Sequence, residues 1–122
     1  MAQKILVIDD NPDILDLEKN RFESERFDVI TASDAIEGMV KTKNQKPDLI
    51  ILDVILPNLD GYTFLRQLKV DPEIKRIPVI VLTSRGQLKD LFKIEGVHDE
   101  DFLVKPFDGQ ELVNRVHQML GE

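Results

Sequence analysis

The sequence predicts a single doubly wound α/β domain built on a parallel five-stranded sheet. Three observations carry that expectation. Short runs rich in Val, Ile and Leu recur along the chain: KILVI, LIIL, PVIVL and FLV. They alternate with longer stretches of helical period, the pattern of repeated βα units whose strands are buried on both faces. Each run also ends in a polar residue, at Asp9-Asp10, Asp53, Thr83 and Lys105-Pro106. In a parallel sheet all such ends lie along one edge, where these sheets bind their ligands.

The first strand covers roughly residues 4–9. Asn11 then reads as a helix N-cap with Pro12 at the first helical position. That helix runs to about Glu25, its apolar stripe of Ile14, Leu15, Leu17 and Phe22 interrupted by Glu18 and Arg21. Residues 27–31 form a short second strand. Ser33 caps the next helix, with Ala35, Ile36, Met39 and Val40 as its apolar positions. Pro47 precedes the third strand, 48–53. The stretch 54–60 contains Pro57 and leads into Gly61, so it reads as a loop. Phe64, Leu65 and Leu68 make the inner face of a third helix, closed by Asp71-Pro72. Residues 77–83 are the fourth strand, and a short helix from about 88 to 95 ends at Gly96. Residues 101–104 are the fifth strand. The last helix is the clearest: Asp108 as N-cap, Glu111 three residues on, then Leu112, Val113, Val116, Met119 and Leu120 as its buried side.

Composition narrows the function. A chain of 122 residues, 42% of them hydrophobic, has the material for one sizeable core. The net charge of −7, from 16 basic and 23 acidic residues, argues against direct nucleic-acid binding, which needs clustered Lys and Arg. The absence of cysteine excludes disulfides and thiolate metal sites. The start, MAQKILVIDD, lacks the features of a signal peptide, and no apolar run approaches the ~18 residues of a membrane span. A soluble, cytoplasmic protein is the expectation.

With strands in the order 2-1-3-4-5, the ends of strands one and three are neighbours at the switch point of the sheet. Asp9, Asp10 and Asp53 then meet. Two unit charges ~4 Å apart repel by about 4 kcal/mol at an effective dielectric near 20. Such a cluster therefore takes up either a proton or a cation. Oxygen ligands that fill only part of a coordination shell suit Mg²⁺, which keeps waters and accepts phosphate oxygens. One carboxylate can then attack a phosphoryl group to give an acyl phosphate. Thr83 can hydrogen-bond a phosphoryl oxygen, and Lys105 can pair with Asp53 before transfer and with the phosphoryl group after it. Pro106 admits a cis Lys-Pro bond, which would aim the lysine.

These residues carry a resemblance. The pieces ILVIDDNPDI, PDLIILDVILPNLDG, IPVIVLTS and FLVKPF resemble a response-regulator receiver domain, of the CheY-like superfamily of two-component signalling, over essentially the whole chain. The Asp-x-x-Leu-Pro-x-x-Asp-Gly pattern from Asp53 to Gly61 is the most specific of them, and the separation of Thr83 from Lys105 fits as well. The resemblance implies a flavodoxin-like (βα)5 fold, with one receiver domain over 1–122 and no output domain. It implies that Asp53 is the phosphoacceptor and that Asp10, Asp53 and the backbone carbonyl of Ile55 bind Mg²⁺, with Asp9 acting through water. Thr83 and Phe102 would be the switch pair. The donor would be a phosphohistidine on a histidine kinase or phosphotransfer protein. Output would pass to a downstream protein effector through the fourth helix, fifth strand and fifth helix. The protein would assist its own phosphotransfer and dephosphorylation without being an enzyme in the ordinary sense.

The resemblance also marks departures. The position seven residues before the lysine, usually glycine, is His98, and Gly96 stands two residues earlier. Arg26 stands where a glycine often precedes the second strand. Phe102 lacks the hydroxyl of the commoner Tyr, Asp99–Asp101 reads as a solvated turn, and Ile55 and Arg85 flank the expected site. His98 and His117 are too isolated to act as metal ligands or phosphocarriers. Two other functions compete. One is a receiver-fold interaction module that works without phosphorylation. The other is a small Mg²⁺-dependent phosphatase, which the Ile at position 55 disfavours because an Asp-x-Asp pair is missing.

Overall fold

The structure is a computed structural model that describes residues 2–53, 61–84 and 94–121, with only the backbone at Asp99. In chain order the elements are β1 (Lys4–Ile8), α1 (Pro12–Ser24), β2 (Asp28–Ala32), α2 (Ala35–Gln45), β3 (Leu49–Asp53), α3 (Gly61–Val70), β4 (Val79–Thr83), a 3₁₀ turn (Asp99–Asp101), β5 (Phe102–Val104) and a C-terminal helix (Gly109–Met119). The strands are all parallel and lie in the order β2-β1-β3-β4-β5. The strand boundaries agree with the sequence reading to within two residues. The expected loop at 54–60 and most of the expected 88–95 helix lie outside the described residues. Residues 94–96 form a bend and turn, with Gly96 at φ 91°.

Each strand sends alternate side chains to opposite faces, and this divides the core in two. Leu6, Ile8, Ile50, Leu52, Val79 and Val81 pack with Phe64, Leu65 and Leu68 of α3 and with Ala35 of α2. Ile5, Val7, Leu49, Ile51, Ile80 and Leu82 pack with Phe22 of α1 and with Leu112, Val113 and Val116 of the C-terminal helix. Strands covered on both faces need apolar residues at nearly every position, which is why periodicity of two is missing from the sequence.

Three local expectations need correction. The N-cap of α2 is Asp34, whose Oδ1 accepts from the Glu37 amide at 2.8 Å; Ser33 instead donates its own N–H and hydroxyl to Glu37. The buried side of α2 is Ala35, Gly38 and Thr42, leaving Ile36 and Val40 53% and 54% exposed. Gly38 explains that rotation: a Cβ there would lie 2.5 Å from Ile8 Cδ1, so the bare glycine lets the helix settle on β1. On α1, Glu18 and Phe22 face inward while Leu17 is 50% exposed. Glu18 therefore belongs to the buried face rather than interrupting it. Burial is the main cause that lifts its carboxyl above the ordinary value; the adjacent Arg21 guanidinium works against the rise.

Candidate acidic crevice at the sheet edge

Parallel register brings the site together. Ile8 stands opposite Leu52 and Asp53 opposite Leu82, so the residues that follow β1 emerge beside the end of β3. Thr83 stands opposite Val104, and the Lys105 amide donates to the Thr83 carbonyl at 2.8 Å, bringing the lysine to the same edge. Asp9, Asp10, Asp53 and Lys105 line one open crevice of about 500 Å³, together with Asn11, Pro106 and Phe107. The Lys105-Pro106 bond is cis.

Within the crevice the carboxylates differ. Asp53 is buried and accepts a hydrogen bond from Lys105 Nζ at 3.1 Å, the pairing expected from the sequence. Asp9 is also buried; its own N–H donates to Ala32 O, and its Oδ1 accepts from the Asn11 amide at 2.9 Å. Asp10 is exposed. Burial pushes the Asp9 carboxyl above the ordinary aspartate value. The Asn11 hydrogen bond opposes that shift, the negative charges of Asp53 and Asp10 add to it, and Lys105 works against them.

That electrostatic conflict is the test of whether the site suits a cation. An acidic set of hard oxygen donors, one of them desolvated and repelled by its neighbours, gains from positive charge placed among it. Among the described residues no three acidic or imidazole groups form a ready-made cage. An open, oxygen-only set of this kind fits Mg²⁺, which retains waters, better than an ion needing a closed shell. The expected carbonyl ligand at Ile55 and the flanking Arg85 lie outside the described residues.

The remaining expected residues sit close by but not in the crevice lining. Thr83 is fully buried, and its hydroxyl donates to the Ser84 carbonyl at 3.1 Å. Phe102 is buried in the same apolar layer as α3. Its strand partner is Val81, two residues before Thr83. Asp99–Asp101 is a 3₁₀ turn, yet Asp101 is buried and its Oδ2 accepts from the His98 amide at 2.8 Å, so that side chain is a cap rather than a solvated charge. His117 contacts Glu25 at 3.1 Å and packs near Phe27, far from any metal role. Sequence reasoning missed two contributors. Asn11 holds Asp9 through its backbone while its side chain caps α1, and Phe107 walls the crevice. The Asx-x spacing of Asp9 and Asn11 was the available signal for the first.

The family model described as the response regulator receiver domain matches residues 5–117. The DNA-binding dual master transcriptional regulator RpaA of Synechocystis is 42% identical over 119 residues, covering 96% of this chain and 48% of its own length. The alkaline phosphatase synthesis transcriptional regulatory protein PhoP of Bacillus subtilis is 39% identical over 122 residues, covering 98% and 49%. The chain thus spans about half the length of these relatives. Among solved structures, the receiver domain of a sensor histidine kinase from Pseudomonas aeruginosa has a TM-score of 0.87 at 29% identity. The match covers 100% of both chains, and that structure holds magnesium in its active-site cleft. No described helix is long and apolar enough to cross a membrane.

Proposed function

Because the chain belongs to the response regulator receiver domain family, we propose that it is a phosphorylation-controlled switch that accepts a phosphoryl group on Asp53. The observation that carries this is the Lys105–Asp53 pair, 3.1 Å apart, on the wall of a crevice also lined by Asp9 and Asp10. A carboxylate oxygen of Asp53 forms a bond to phosphorus while the phosphorus–nitrogen bond of a donor phosphohistidine breaks. The electron pair leaves on the imidazole nitrogen. The donor is a histidine kinase or a phosphotransfer protein.

Asp10 and Asp53, with the carbonyl of Ile55, would hold Mg²⁺, and Asp9 would act on it through water. When bound, that ion supplies positive charge to the transferring phosphoryl oxygens. Lys105 supplies a second charge, releasing Asp53 as the phosphoryl group arrives. Thr83 then turns its hydroxyl toward the phosphoryl oxygen, and the space it leaves favours an inward Phe102. The change is a shift between two populated states of one fold. A downstream protein reads it on the surface formed by the 88–95 segment, β5 and the C-terminal helix.

The test is intact-mass spectrometry after incubation with Mg²⁺ and a small phosphodonor such as acetyl phosphate. Wild type gains one labile phosphoryl adduct; Asp53→Asn does not, and chelation of Mg²⁺ abolishes the gain. No adduct on wild type in the presence of metal would sink this reading in favour of an interaction module that works without phosphate.

A further inference from the structure

His117 stands where the last turn of the C-terminal helix meets the end of α1. Its Nε2 lies 3.1 Å from Glu25 Oε1, a contact between residues 92 apart in sequence. Its ring is centred 5.5 Å from the Phe27 ring, tilted by 40°. Phe27 is buried and packs edge-on against Phe22 of α1. The corner that presents Glu25 and Phe27 is braced by its own backbone. The amides of Glu25 and Phe27 both donate to the Phe22 carbonyl, and the Arg26 amide between them donates to the Glu23 carbonyl. His117 is therefore held from two points on one fixed corner.

Three features of this place favour the charged imidazole. Glu25, the C-cap of α1, offers a carboxylate that a protonated ring bonds more strongly than a neutral one does. The Phe27 ring lies within the ~6 Å reach of cation–π attraction. His117 also occupies the last turn of its helix, where the unpaired carbonyls favour positive charge. One turn back along that helix stand Val113 and Asn114, and one turn on stands Gly121, none of them charged. Histidine is the side chain whose ordinary titration falls between about pH 5 and about pH 8. The pair is partly exposed, so it contributes little to global stability. A terminal helical turn, however, opens at almost no cost in free energy. A small local contribution there changes the closed population several-fold.

We propose that His117 and Glu25 form a proton-dependent clasp that fastens the last turn of the C-terminal helix to the end of α1. The clasp is closed while the ring is protonated, and its contribution is lost as rising pH removes the proton. The C-terminal helix belongs to the surface on which a downstream protein reads the proposed switch, so on that reading the clasp makes the surface sensitive to pH. The clasp itself is independent of phosphotransfer, and its test needs neither Mg²⁺ nor phosphodonor.

NMR of the full chain provides the test, through the His117 ring titration and the hydrogen exchange of the last-turn amides. The Leu120 amide donates to the Val116 carbonyl and the Gly121 amide to the Gln118 carbonyl. In wild type their protection, corrected for intrinsic exchange, falls about threefold between about pH 5.5 and about pH 7.5, in step with the ring titration. Glu25→Gln keeps the size and removes the charge. It lowers the His117 midpoint by about 0.5 pH unit, the same threefold expressed as proton affinity, and flattens the amide profile. His117→Gln flattens that profile as well. The Val113 amide, one turn further inside the helix, keeps its protection in both variants. The proposal is overturned by equal His117 midpoints in wild type and Glu25→Gln, by last-turn protection that does not change with pH in wild type, or by a fall that survives in Glu25→Gln.

Discussion

At the scale of single residues, the two ionised pairs near the sheet edge behave differently because their exposure differs. The Lys105 side chain is 46% exposed, so its pair with Asp53 contributes little to stability. Its value lies in charge placed where a phosphoryl group would arrive. Lys105→Ala is therefore expected to slow adduct formation roughly 100-fold while barely changing the melting temperature, a split that kinetics and thermal denaturation read separately. Glu18 is the opposite case. Its carboxyl is raised above 4.5 chiefly by burial, so the fold favours the protonated form. That contribution is complete below the unfolded value and is lost as pH rises through the raised folded value. Glu18→Gln imitates the protonated state at every pH. It should melt with wild type near pH 4 and above it at pH 7; equal melting temperatures at both pH values would contradict the assignment. Asp53 and Lys105 were legible in the sequence as a facing pair because both stand at the ends of apolar runs. Glu18 was not, since a glutamate among helical positions ordinarily reads as solvated.

At the scale of elements, helix ends carry the predictable chemistry. Asn11, Asp34 and Asp108 each accept from amides in the first turn of their helix. Glu37 adds a return contact, accepting from the Ser33 amide at 2.6 Å. That backbone hydrogen bond is the main cause that lowers its carboxyl below 4.5, with burial opposing and Lys41 assisting. The stabilisation is present above the unfolded value and disappears as pH falls through the lowered one. Glu37→Gln should accordingly lower the melting temperature at pH 7 and leave it unchanged under strongly acidic conditions. Among the described residues, two element ends carry backbone strain. Arg26, between α1 and β2, has φ 71°, and Lys46, the C-cap of α2, has φ 45°. A side chain in the left-handed region is disfavoured, so Arg26→Gly and Lys46→Gly should each stabilise by about 0.5–1 kcal/mol in denaturant unfolding. Arg26 was noticed in the sequence as a missing glycine; at Lys46 the following Pro47 marked the end of the helix, but nothing local gave the left-handed backbone of the cap.

At the scale of the whole molecule, the parallel sheet places chemistry at one edge and two apolar layers around it. Thr83 and Phe102 connect the two, since one is fully buried at the end of β4 and the other is packed among the residues under α3. If the proposed switch operates, phosphorylation should move the amide NMR signals of Thr83 and of β5 through Lys105, and leave the outer face of α2 nearly unchanged. Changes that stop at the immediate neighbours of Asp53 would argue against transmission through β4 and β5. The sequence by itself determined the strand succession, the caps of α1 and the C-terminal helix, and the identity of the residues at the strand ends, because these follow from local apolar runs and from side chains that bond their own backbone. Only the tertiary structure decided which side of α1 and of α2 is buried; the inner faces of α3 and the C-terminal helix were already plain in the sequence. A helical period defines a direction around the axis, but packing chooses among directions. The missing Cβ of Gly38 let α2 turn Ile36 and Val40 outward, and α1 turned Leu17 out and Glu18 in. The acidic crevice was thus readable from residue order, whereas the burial of Glu18 follows only from the way α1 meets the sheet.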